Sequence, residues 1–90
     1  MSRRNYYVEG ATKARGVHNA DFGAVYDRIY KTYDCHSRED AERFLAACGY
    51  VAGEVREEIG TSSGIGWCGT VTVYRRPGKK PAMLHDIDID

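Results

Sequence analysis

The residues with most chemistry to offer are three cysteines, Cys35, Cys48 and Cys68, and three histidines, His18, His36 and His85. The run Asp34-Cys35-His36 sets a thiol beside an imidazole, the combination that activates a cysteine nucleophile. Neighbouring side chains diverge on a strand or turn, however, and working nucleophile–base pairs meet in space from distant positions. The tripeptide therefore reads as a connector into the helix that follows it. None of the six residues has the paired short spacing of a zinc module, and Cys48 reads as a small core hydrophobe, so no catalytic centre, metal or cofactor is expected. An odd cysteine count without a C-x-x-C pair argues against a disulfide framework, and reduced thiols imply a cytoplasmic protein.

The segment Gly60 to Gly66 (GTSSGIG) offers the glycines and hydroxyls of a phosphate cradle. A P-loop also needs a lysine and a following helix, and neither is present, so the segment reads as a hairpin loop. Trp67 beside it reads as a core or rim aromatic.

Basic and aromatic residues form the third group. Arg3 and Arg4 precede Tyr6 and Tyr7, while Arg75, Arg76, Lys79 and Lys80 close the last β-rich run. If those two runs are antiparallel neighbours, both basic clusters meet at one end of a sheet. Such an end would stack bases and neutralise phosphates, or would simply be a solvated, charge-guarded end. Seven tyrosines need somewhere for their hydroxyls, which favours a rim, and tyrosine with arginine is the composition of binding hot spots. The candidate partner-binding set is Tyr6, Tyr7, Trp67, Tyr74, Arg75 and Arg76; the candidate nucleic-acid set is Arg3, Arg4, Lys79 and Lys80.

The elements that must position these residues follow from pattern. Ser37 to Tyr50 (SREDAERFLAACGY) reads as a helix: Ser37 and Asp40 form a capping box, Ala41, Phe44, Leu45 and Cys48 make one apolar stripe, and Gly49 supplies the stop. So short a helix is marginal alone, which requires it to dock on a sheet. Asn5 to Thr12 reads as a strand and Lys13 to Ala20 as a loop. From Asp21 to Asp34 the residues Phe22, Val25, Tyr26, Ile29, Tyr30 and Tyr33 keep the helical period, although their types favour a pleated surface. A second helix is the expectation there. Val51 to Ile59 and Trp67 to Arg76 alternate and pair as a hairpin, with Val51, Val55 and Ile59 assigned to one face. Pro77 and Pro81 stop the sheet. Residues 82–90 (AMLHDIDID) read as a frayed acidic tail, with an added edge strand as the alternative.

Ninety residues, 42% hydrophobic and 29% charged, describe one domain, here spanning 1–81 with the tail appended. A net charge of zero supplies no global field toward nucleic acid or anionic membrane, and no run approaches the 18 apolar residues of a membrane span. The expected fold is α+β, an antiparallel sheet of three to four strands with one or two helices on one face. The expected function is a non-catalytic protein-binding module or inhibitor, with a homodimer as a further option. Nucleic-acid, nucleotide or small-anion binding is the alternative. In size, neutrality and lack of catalytic groups the chain is similar in type to small phage-encoded inhibitors of host defence proteins, a likeness that carries over no motif.

Overall fold

Local sequence signals place the single α-helix, α1, at Arg38–Ala47 in the computed structural model, which describes residues 3–62 and 65–89. Ser37 is the N-cap, its Oγ accepting from the Asp40 amide at 3.1 Å. Only this half of the capping box forms, because the Asp40 carboxylate faces Arg43 at 3.5 Å. At the other end the Tyr50 amide donates to the Leu45 carbonyl and the Gly49 amide to that of Ala46, with Gly49 at φ 88°. This double closure needs a left-handed residue, and glycine adopts that conformation without a Cβ clash.

The expected second helix is absent. Asn19–Phe22 makes one 3-10 turn, Gly23 at φ 64° ends it, and the chain continues into a hairpin of β2 (Ala24–Asp27) and β3 (Thr32–Cys35). Asp27 does not extend a helical face. Its Oδ1 accepts from the amides of Ile29 and Tyr30, at 2.8 and 3.1 Å, and closes the turn. The branched and aromatic residues thus follow their β preference, and the apparent helical period is an accident of two short strands separated by a turn.

Among the described residues all strands join one antiparallel sheet in the order β2-β3-β1-β6-β5-β4, with β1 at Arg3–Glu9, β4 at Val51–Ser62, β5 at Ile65–Arg75 and β6 at Ala82–Ile89. Six strands form where three or four were expected, since the Asp21 segment supplies two and the supposed tail a third. Residues 82–90 are no frayed appendage: β6 pairs β1 from Arg3↔Ile89 to Glu9↔Met83 and β5 from Trp67↔Ile89 to Tyr74↔Ala82. The Gly60 to Gly66 loop also shrinks, because the ladder runs on to Ser62↔Ile65. Ser63 and Gly64 of that loop, and Asp90 of the tail, lie outside the described residues.

Alternation along these registers gives the sheet two faces. On one, α1 lays Phe44, Leu45, Ala41 and Cys48 against Val8, Ala24, Ala82, Leu84 and Tyr74, all buried. Each large side chain so removed from water contributes roughly 1.5–3 kcal/mol. Phe44 also contacts Tyr33 and Phe22, at ring separations of 4.8 and 6.2 Å. Asp86 lies on this face, nearly buried, and tolerates a central strand because Arg4 reaches it at 3.0 Å and Arg38 at 3.3 Å. The second Arg38 nitrogen donates to Thr72 at 3.0 Å.

Helix α1 packs on β1, β2, β3 and β6, leaving the long β4–β5 hairpin to extend a molecule of 41 × 25 × 23 Å. A bulge between Ala52 and Val55 shifts the β4 register. Val51 therefore points to the face opposite Val55 and Ile59, not to the same one, since the extra residue reverses the alternation.

Candidate functional site

On the face without a helix, registration sets Asp34, Tyr7, His85 and Val71 in one row across β3, β1, β6 and β5. The row beside it holds Thr32, Glu9, Met83 and Val73. Where the β2–β3 turn meets this face, Tyr30, Tyr6, Tyr7, Glu9, Asp27 and Asp34 line a concavity of about 540 Å3. Arg4 also reaches its wall, but its guanidinium is committed to Asp86 and Asp88. The interior is therefore aromatic and acidic. Burial raises the Tyr7 phenol above its ordinary value, and the charges of Glu9, Glu58 and Asp34 add to that, so it stays a neutral donor.

Tyr7 stacks on the His85 ring with centroids 4.4 Å apart and planes within 10°. His85 Nε2 lies 3.0 Å from Glu9 Oε1, and Nδ1 lies 3.7 Å from Glu58 Oε2. Nδ1 is buried and has no hydrogen-bond partner among the described residues. Between β4 and β6, Gly69 of β5 lets the strands approach closely, since a Cβ there would collide with the backbone of Asp86 and Ile87.

The residues expected from the sequence divide among several places. Tyr7 faces the concavity, whereas Tyr6 borders it from the row of Cys35 and Asp86, on the helix side of β1. Tyr74 is buried in the core, Trp67 lies over Gly60 so closely that a Cβ there would strike the indole, and Arg75 is held bidentately by Glu54 at 2.6 and 3.0 Å. Arg76 ties the structure together: it donates to the carbonyls of Thr12 and Cys48, both at 2.9 Å, and covers the Tyr50 ring. Lys79 and Lys80 sit in the exposed turn before β6. The two basic clusters do not meet. Since β1 and β5 are both antiparallel to β6, they run parallel to one another, and Arg3 and Arg4 lie at the end of the sheet opposite Arg75, Arg76, Lys79 and Lys80.

The thiol–imidazole pair gains nothing from the fold. Cys35 packs beneath the core, its Sγ donating to the Tyr33 carbonyl at 3.7 Å, and burial, followed by Asp40 and Asp34, pushes its pKa up to about 11. Among the described residues no group of three or more His, Cys, Asp or Glu side chains is placed to hold a metal ion, and no helix is long and apolar enough to cross a membrane.

Sequence reasoning did not assign Asp27, Ile29, Tyr30, Glu9 or Glu58 to a binding site, and it weighed Asp34 and His85 only for other chemistry. Asp27, able to accept from backbone amides two and three residues on, was the available signal, an Asx-turn hidden by the helical reading. The others meet only through strand order, which depends on β6. Compared with protein-family models, curated proteins and solved structures, the chain has no significant match.

Proposed function

We propose that the chain is a non-catalytic protein-binding module that takes its partner at the β2–β3 hairpin and the aromatic, acidic concavity beside it. The observation that carries this reading is the exposure of four large apolar residues on one short hairpin. Val25, Tyr26, Ile29 and Tyr30 are exposed by 62, 45, 85 and 76%. Scattered apolar residues on a surface need no explanation, but here Tyr30 lines the concavity, Ile29 adjoins it in the same turn and Val25 shares the face of Asp34, while Tyr26 packs on Tyr33 on the other face, so the hairpin offers apolar contacts beside a cavity as a hot spot does. Tyrosine supports such a role because it offers a large contact at low cost in side-chain entropy. Glu9, Asp27 and Asp34 in the concavity favour a partner that presents lysine or arginine between apolar contacts.

The nucleic-acid alternative loses its main support, because the basic residues it needs are split between two ends of the sheet and several are already paired. Affinity capture from cell lysate with nuclease present tests the proposal, using the wild-type chain beside an Ile29→Ser, Tyr30→Ala variant. Both side chains are exposed, so the fold is retained. The expected result is a protein partner recovered by the wild type and lost by the variant. Recovery that requires nucleic acid, or that ignores the variant, overturns it.

A further inference from the structure

The sheet has two edges, and they are unlike. At one, β2 is four residues long. At the other, β4 runs for twelve residues and pairs only with β5 among the described residues. Edge strands of soluble proteins are usually guarded by shortness, charged side chains, proline or a bulge, and β4 carries Arg56, Glu57 and Glu58, charges that disfavour a strand of like pattern and leave a complementary one free to pair. The bulge in β4 is confined to its start, and from Val55 to Ile59 the ladder is regular and contains neither proline nor lysine. On the helix-side face of this run, Val55 and Ile59 are 60 and 84% exposed and flank Glu57; Arg56 and Glu58 point to the other face.

We infer that β4 is a docking edge that accepts an extended strand of a partner protein, apolar at its ends and cationic at its centre. An added strand would satisfy the outward backbone groups of β4, and its side chains would lie opposite those of β4 at about 4.5–5.5 Å. Opposite Ile59, Glu58, Glu57, Arg56 and Val55 in turn, an antiparallel strand then fits with an apolar residue, two cations, an anion and an apolar residue. A second copy of this chain fits less well. The edge carries Glu54, Glu57 and Glu58 against Arg56, and self-pairing centred on Glu57 or Glu58 sets identical carboxylates opposite one another. The β4 edge lies across the sheet from the β2–β3 hairpin; it shares Glu58 with the surroundings of His85 but does not depend on the hairpin site.

The test is a titration of the full chain with a labelled peptide containing Val-Lys-Lys-Glu-Val at its centre, read by fluorescence anisotropy and by amide chemical shifts. Saturable binding is expected, with shifts centred on Val55 to Ile59. Glu57→Lys, an exposed substitution that leaves the fold intact by circular dichroism, should weaken it on the order of tenfold. Replacing the facing peptide lysine by glutamate should restore it. Alternate N-methylation of the peptide, which blocks the ladder and keeps the side chains, should abolish binding. The inference is overturned by absence of saturable binding, by indifference to the Glu57 charge or to N-methylation, or by a dimer of the chain that occupies β4.

Discussion

Asp86 and Cys35 illustrate how the fold assigns roles that residue type leaves open. An aspartate in the middle of a sheet looks misplaced, yet two arginines from β1 and α1 complete it, and a cysteine next to a histidine looks reactive until burial disarms it. Because the Cys35 thiol ionises only near pH 11, alkylation at pH 8 should label exposed Cys68 and leave Cys35 unmodified, as peptide mass spectrometry will report. Rapid labelling of Cys35 would contradict its placement. Glu54 behaves in the opposite sense. The Arg75 hydrogen bonds hold its carboxyl down to about 2, so its folded value lies below the unfolded one. The pair is intact above the ordinary carboxylate range and is lost as pH falls through about 2. In an NMR titration Glu54 should be among the last carboxylates to protonate, and Arg75→Ala should return it to the ordinary range.

At the scale of elements, α1 was legible because its signals are local: a cap, a stripe and a glycine stop all lie within fourteen residues. Gly49→Ala should cost about 1–2 kcal/mol, read by urea denaturation, since only the left-handed conformation closes this helix end. The β2–β3 hairpin was not legible, because four-residue strands are too short to impose a period and the turn between them imitates a helical repeat. For β6 the difficulty was different. Its alternation of isoleucine with aspartate resembles a solvated terminus, and the arginines that make Asp86 acceptable come from sequence positions 82 and 48 residues away. Deleting residues 82–90 therefore removes the strand that joins β1 to β5. The shortened chain should lose its cooperative thermal transition, whereas an unchanged melting curve would make these residues a dispensable tail.

Over the whole molecule, the helix and the arginines Arg4, Arg38 and Arg76 tie the sheet together, Lys79 and Lys80 stay in an exposed turn, and the concavity beside the β2–β3 hairpin is left aromatic and acidic. Part of the candidate site was visible in the sequence, in Tyr7 and the bordering Tyr6. The rest was not, because Tyr30, Asp34, Glu9 and His85 converge only once β1 is inserted between β3 and β6. The central claim is that the β2–β3 hairpin and its concavity bind a protein. The most direct measurement is hydrogen–deuterium exchange of the chain with and without its captured partner. Protection is expected from Ala24 to Cys35 and along β1. Protection confined to the basic turn from Arg76 to Pro81, with the hairpin unchanged, would contradict the claim.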